Sequence, residues 1–186
     1  MVMAAVAVKS ESELPEGIKD SKMLSPKQRE EFYKELVHLT HTTRVIPPKE
    51  IDEWVFQGKL NWLEAKHTID MINGLKPKKV IIDCPAKNLE EYRDYIQSHV
   101  RAKVILMYRA DANFPVVAAA SVIAKVTRDK LVDDIRKKTG FDFGSGYLTD
   151  PKTQAFLKEF NPEFPHFRKS WQTYKERMSM LQQRRL

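Results

Sequence analysis

The chain has 186 residues, 42% of them hydrophobic and 31% charged, with 6 glycines and 10 prolines. That composition excludes disordered and collagen-like polymers and suits one domain, or one domain with a small appendage. The net charge of +7 favours polyanionic partners, nucleic acid first.

A chain of this length buries roughly 70% of its unfolded surface on folding, enough for a core without staples. Cys84 is the single cysteine and cannot pair within the chain, which suits a reducing cytoplasm. No apolar run approaches the ~20 residues that cross a bilayer. The apolar opening, residues 1–8, lacks both a basic lead-in and a small-residue cleavage site, so it is a poor signal peptide. Charge is uneven: residues 151–186 hold eight basic and three acidic side chains, five of the seven net positive charges. Such a run is either a solvated helix face or a footprint on a phosphate backbone.

In chain order, residues 2–8 are apolar and partly β-branched, which predicts a buried strand. Pro15 and Gly17 break the polar stretch after it. Ser25 suits a helix N-cap and Pro26 the first helical position, and Phe32, Leu36 and Leu39 repeat at helical spacing to about residue 38. Residues 42–47 read as a short strand ended by Pro47-Pro48. Residues 63–75 form a helical pattern with Ala65, Ile69 and Ile72 on one face. KVIID, 79–83, reads as a buried strand, 89–98 as a helix and 104–108 as another strand. Residues 116–139 predict a long helix, alanine-rich at its start. The loop FDFGSGYLTDP follows, then a proline-punctuated tail that becomes helical from about residue 170. Strands alternating with helices predict an α/β fold with a partly parallel sheet. There is no internal repeat or low-complexity segment.

Asp83 closes the strand KVIID, and Asp111 follows the next strand. Ligands of α/β sheets gather outside the carboxyl ends of strands, so both acids are placed for a hard divalent cation; the bland alternative is a cap or turn former. Ala118, Ala119, Ala120 and Ser121 allow a helix to lie close to a sheet. Lys125 and Arg128 are three apart and share a helix face, either meeting phosphates or lying as ordinary surface. The loop Gly144-Ser145-Gly146-Tyr147 sets backbone freedom beside an aromatic ring that is either a stacking platform or a packed loop residue. Lys19-Asp20-Ser21-Lys22 alone would be a solvated turn.

Taken together, GIKDSKMLSPKQREEFY (17–33), VIIDCP (80–85), ADANFPVVAAASVIAKVTRD (110–129) and GSGYLTDPKTQAFL (144–157) resemble one family, type 2 ribonuclease H or ribonuclease HII. They stand in the family's order and cover most of the chain. The separation of 28 residues between Asp83 and Asp111 is similar to that between the family's last two active-site acids, and the layout is similar to that of archaeal single-chain members.

The resemblance implies a ribonuclease H-like α/β fold over 1–143, its central five-stranded mixed sheet flanked by helices. A substrate-contacting loop and basic helical extension would fill 144–186. It implies endonucleolytic cleavage of the RNA strand of RNA–DNA hybrids, and cleavage on the 5′ side of ribonucleotides embedded in duplex DNA. In such enzymes four carboxylates hold Mg²⁺ or Mn²⁺. Asp83 and Asp111 match the third and fourth, as catalytic and metal-binding residues. Tyr147 matches the tyrosine that packs on the sugar after the ribonucleotide, and Lys22, with Asp20 and Ser21, matches a strand-contacting element. Lys125 and Arg128 join the substrate-binding set. The expected protein is a cytoplasmic monomer away from membranes. Its last residues, MSMLQQRRL, carry no paired aromatics, so binding to a sliding clamp is not evident.

One departure stands out. The family opens on a strand and loop of the form GIDEAGRG, which supplies the first two acids, and nothing in this sequence matches it. The one Asp-Glu pair, Asp52-Glu53, lies between Pro47-Pro48 and Trp54-Val55, the wrong setting. Two expectations follow: a nuclease whose first strand is absent from the given sequence, or a catalytically silent hybrid-binding module. On the first, the chain alone is expected to be inactive and poorly folded, because a central strand is paired on both edges. A general basic DNA-binding domain leaves Asp83, Asp111 and Tyr147 together unexplained.

Overall fold

The computed structural model describes residues 1–19, 21–159 and 164–183; Asp20 and the terminal Arg184 and Arg185 of the basic tail lie outside the described residues. The chain forms two compact units. One comprises residues 2–45 and 61–127, the other residue 1, 46–60 and the chain from 128 onward.

The first unit opens on strand β1 (Val2–Ala7), followed by helix α1 (Pro26–Leu36) and strand β2 (Thr40–Val45). Helix α1 starts where expected. The Ser25 hydroxyl accepts from the Gln28 N–H while the Gln28 side chain accepts from the Ser25 N–H, a reciprocal capping box with Pro26 at the first helical position. β1 and β2 pair antiparallel, Val2 opposite Val45 through Ala7 opposite Thr40. The unit also holds strand β3 (Lys79–Asp83), helix α4 (Leu89–His99), strand β4 (Lys103–Met107) and the short helix α5 (Ala110–Asn113). β3 and β4 pair parallel, Lys79 opposite Lys103 through Asp83 opposite Met107. Helices α3 (Leu60–Leu75) and α6 (Pro115–Thr139) each belong to this unit for most or half of their length.

Two apolar cores hold it. Ala118, Ala119, Val122, Ile123 and Val126 of α6 are buried with Leu24 and Leu36, and Ala4 and Val6 of β1 pack against them. The small residues do what their size allows: they let α6 approach the strand. A second core joins Ala65 and Ile72 of α3 to Tyr92 and Ile96 of α4 and to Val104 and Leu106 of β4. The four strands form two separate two-stranded sheets, β1–β2 and β3–β4, rather than one continuous sheet.

The second unit contains helix α2 (Pro48–Phe56), the C-terminal half of α6, and helices α7 (Pro151–Glu159) and α8 (Gln172–Gln183). Sequence reasoning ended a strand at Pro47-Pro48 and missed α2, although Pro48 at a helix start is the favoured place for a proline. An aromatic cluster of Phe141, Phe143, Phe156, Phe164 and Phe167 fills the unit, with neighbouring ring centres 5.3–6.1 Å apart. Asp52, in α2, is buried and accepts from the N–H of Lys169 and from the N–H and hydroxyl of Ser170.

Candidate active site

β3 ends on Asp83 and β4 delivers the chain to Arg109, which adopts the left-handed conformation at φ 54°. That conformation costs a non-glycine residue roughly 1 kcal/mol. It turns the chain sharply, so that α5 begins beside the end of β3. The Ala110 N–H then donates to Asp83 Oδ1 at 3.1 Å, and Asp111 follows immediately. The two acids expected to stand at neighbouring strand ends are therefore linked through one peptide group.

Their environments differ. Asp83 is exposed, whereas Asp111 is only 4% exposed. Asp111 Oδ2 faces Lys22 Nζ at 3.5 Å, while its Oδ1 is buried with no hydrogen-bond partner. A buried carboxylate oxygen without a donor is costly, and a hard cation is the ordinary way to satisfy it. Both acids line a cavity of about 550 Å³. Among the described residues no group of three or more His, Cys, Asp or Glu side chains is gathered to hold a metal. The pair thus fits part of an oxygen-ligand shell. Cys84, next to Asp83, is no rival nucleophile: burial pushes its thiol up, away from the thiolate, and the charge of Asp83 adds to that.

Beside Asp111, Ser21 is fully buried. Its hydroxyl lies 2.8 Å from the Ser121 hydroxyl and accepts from Lys125 Nζ at 2.8 Å. Ser21 and Lys125 meet inside one polar cluster that ties the short turn at residues 21–23 to α6, next to Lys22. Sequence reasoning had no signal for Ser121 as a partner; spacing along one helix says nothing about what a turn a hundred residues away brings to it.

Arg128 and Tyr147 come together in the second unit. The guanidinium carbon of Arg128 sits 3.9 Å from the centre of the Tyr147 ring, and its Nη1 donates to the Ser145 carbonyl at 2.6 Å and to Asp129 at 3.0 Å. Tyr147 itself is 45% exposed, leaving ring surface available for stacking. The loop is tied from both ends. Ser145 N–H donates to Asp150 Oδ2 at 2.7 Å, and Gly146 N–H donates to Thr153 Oγ1 at 3.0 Å. Gly146 has φ +73°, which favours glycine, and a Cβ there would lie 2.9 Å from Arg128 Nη2 and displace the end of that side chain. The Ser145 amide, above all, holds the Asp150 carboxyl below the usual aspartate range. Asp150 and Thr153, invisible as loop-builders in the sequence, are what make GSGY a platform.

The chain matches the Ribonuclease HII family over residues 1–174. Ribonuclease HII of Pyrobaculum aerophilum is 37% identical over 182 residues, covering 97% of this chain and 85% of the relative. The ribonuclease H2 structure from Pyrococcus horikoshii OT3 superposes with TM-score 0.82 at 31% identity, over 98% of this chain and 99% of that one. The ribonuclease in the PCNA:RNase HII complex from Archaeoglobus fulgidus superposes with TM-score 0.78 at 35% identity, over 85% of this chain and 78% of that one. These relatives bear the name of an enzyme, and the silent-module alternative finds no support among them. The fold is ribonuclease H-like, and the chain belongs to the ribonuclease HII family, the type 2 ribonuclease H hydrolases.

Proposed function

We propose that this protein hydrolyses the RNA strand of RNA–DNA hybrids and cuts on the 5′ side of ribonucleotides embedded in duplex DNA, with Asp83 and Asp111 as metal-binding, catalytic carboxylates. The observation that carries the reading is Asp111 Oδ1, a buried carboxylate oxygen without a donor, one residue from the peptide group that binds Asp83. Two carboxylate ligands suit Mg²⁺ or Mn²⁺ better than softer metals. When bound, such a cation supplies a hydroxide nucleophile at neutral pH and stabilises the leaving 3′ oxygen.

The chain's own residues do the rest. Asp83 is oriented by the Ala110 N–H, so its remaining oxygen keeps a fixed direction. Lys22, 65% exposed at its side chain, holds Asp111 Oδ2 and remains open to a strand phosphate. Ser21 and Lys125 position that turn through their partly buried hydrogen bond. Tyr147 stacks on the sugar at the junction, and Arg128 holds the ring from behind and adds positive charge there. The basic residues of the C-terminal segment attract the duplex electrostatically. Among the described residues no helix is long and apolar enough to cross a membrane, and a single half-buried cysteine fits a cytoplasmic setting.

The test is cleavage of an end-labelled RNA–DNA hybrid and of a duplex with one ribonucleotide, each with Mg²⁺, with Mn²⁺ and after chelation. Metal-dependent products ending in 5′-phosphate, including a cut 5′ of the single ribonucleotide, are expected once the two carboxylates that the resemblance implies and this sequence lacks are supplied. Cleavage that persists after chelation, or that spares the single ribonucleotide, overturns the assignment.

A further inference from the structure

Asp83 stands at the carboxyl end of β3, and the amino end of the β3–β4 pair, four residue steps or ~13 Å away, carries the opposite charge. Lys79 lies opposite Lys103 there, and the Lys103 N–H donates to the Lys78 carbonyl at 3.0 Å. Helices α3 and α4 end at Leu75 and His99, just before β3 and β4 begin, so both bring their C-termini to this end. Between them lies an open cavity of about 590 Å³, lined by residues 72, 73, 76, 77 and 98–102. Neither Asp83 nor Asp111 lines it.

The charge around it is of one sign. Residues 71–79 and 95–103 hold five lysines and arginines and no aspartate or glutamate. All five, Lys76, Lys78, Lys79, Arg101 and Lys103, are exposed, and none is in an ion pair among the described residues. Two helix C-termini, each equivalent to about half an elementary negative charge, match about one cation and not five. Lys76 is also held at φ 51°, its N–H donating to the Ile72 carbonyl at 2.8 Å where α3 closes. Glycine is the favoured residue at such a closing position, so a lysine there is a strained choice that sets a cation in the cavity lining.

An aromatic row leads to the same place. Trp62, packed against the core, meets Tyr95 at 4.8 Å between ring centres, and Tyr95 meets His99 at 4.7 Å. His99 is exposed and lines the cavity. Its Nδ1 lies 2.8 Å from the Tyr95 carbonyl, which can only accept, so Nδ1 carries a proton and the ring is fixed. The Asn73 amide donates to the His99 carbonyl at 3.4 Å and ties α3 to the end of α4. A fixed, exposed ring beside unpaired cations is the arrangement that stacks on a base while phosphates are neutralised alongside.

We infer that this cavity is a second nucleic-acid site, which takes a single strand at the end of the sheet remote from Asp83. Lys76 and Arg101 meet phosphates, and His99, backed by Tyr95, stacks on one base. A duplex keeps its bases stacked on each other and offers none to His99, and an acidic peptide leaves the ring idle. The site gives the protein a hold on unpaired strand that needs no metal. The inference does not rest on the cleavage reading, and cleavage enters none of its measurements.

The test is titration of the full chain, without divalent metal, with a labelled oligothymidylate of twelve nucleotides, read by amide NMR shifts and by fluorescence anisotropy at several salt concentrations. The amides of Lys76, Ser98, His99 and Arg101 are expected to shift saturably. The double variant Lys76→Gln, Arg101→Gln changes only exposed side chains. It is expected to bind about tenfold more weakly and to lower the salt slope by ~1.4, two contacts at ~0.7 for each single-strand phosphate. His99→Ala is expected to weaken binding about fivefold or more, the loss of one stacked base. Shifts confined to residues beyond 128, or a salt slope unchanged in the double variant, overturn the inference. So does an equal response of the four amides to a blunt duplex of the same length or to polyglutamate, which reduces the patch to a general polyanion surface.

Discussion

Asp52 anchors Ser170 across 118 residues of sequence: one carboxylate oxygen accepts from the Ser170 N–H at 2.9 Å and from its hydroxyl at 2.6 Å. The other accepts from the Lys169 N–H at 2.8 Å. All three donors lie just ahead of α8, so the residue that sequence reasoning set aside as a misplaced acid fixes where the C-terminal helix begins.

Asp52→Ala strands two amide donors and a hydroxyl, and the expected loss is about 2–4 kcal/mol, since hydrogen bonds to a charged group are worth ~1.5–3 kcal/mol each and are not additive. Asp52→Asn keeps part of the acceptor capacity and is expected to lose less. Urea unfolding of the three proteins checks this; equal stabilities would show that the anchor is idle.

Tyr147→Ala removes the stacking surface, worth ~1–3 kcal/mol per base in comparable platforms. Cleavage beside a single embedded ribonucleotide is expected to fall more than binding to plain duplex DNA. Arg128→Ala is expected to weaken the same cleavage while leaving the ring in place but less fixed, visible as broadening of the Ser145 and Tyr147 amide signals. Parallel losses in cleavage and plain-duplex binding would make Tyr147 a structural residue.

The loop should also respond to acid in a defined direction. Asp150's carboxyl lies below its usual range because the Ser145 amide, first of several donors, stabilises the charged form. A carboxyl depressed in the folded state contributes stability that is present above its unfolded value and is lost as pH falls through the folded one. The Ser145 and Lys152 amide signals are therefore expected to titrate together below the ordinary aspartate range, loosening the Tyr147 platform in acid. Titration at the ordinary value would remove Asp150 as the loop's anchor.

Asp83→Asn and Asp111→Asn are expected to cost about 100-fold or more in metal affinity or cleavage, since even groups outside the metal's own ligands commonly cost 10–100-fold. Paramagnetic broadening of the Asp83 and Ala110 amides by Mn²⁺ reads this without cleavage. Stability is expected to move the other way at Asp111, where Asn relieves a buried carboxylate oxygen that lacks a donor. A variant that broadens as the parent does would remove that acid from the metal shell.

Local chemistry made much of the fold legible. Ser25, Pro26 and Gln28 define a helix start by themselves, and KVIID forms the expected strand, half-buried at Val80, Ile81 and Ile82 and exposed at Lys79 and Asp83 rather than buried throughout. The alanines of α6 announce close packing, and Ala118 and Ala119 are fully buried in the core that Ala4 and Val6 of β1 pack against. Two long-range facts were not legible. Pairing of strands is a property of edges, which composition does not encode, so the partners of each strand had no signal in composition or periodicity. The left-handed turn at Arg109 that brings Asp111 to Asp83 had none either, because arginine is a poor advertisement for positive φ. The acids were found by their strand-end positions, and Tyr147 by its glycine-flanked loop. What holds each of them, Ala110, Asp150 and Thr153, became visible only in three dimensions.

Gly146 carries a genetic consequence. Part of the cost of a side chain there is the strain of φ +73°, which any background retains. The remainder is collision with Arg128, which vanishes when residue 128 is shortened. Gly146→Ala is therefore expected to be less harmful in an Arg128→Ser background than in the parent, a positive coupling that a double-mutant cycle measures. Two positions 18 residues apart thus form one epistatic unit, and the tolerance of either to change is set by the other.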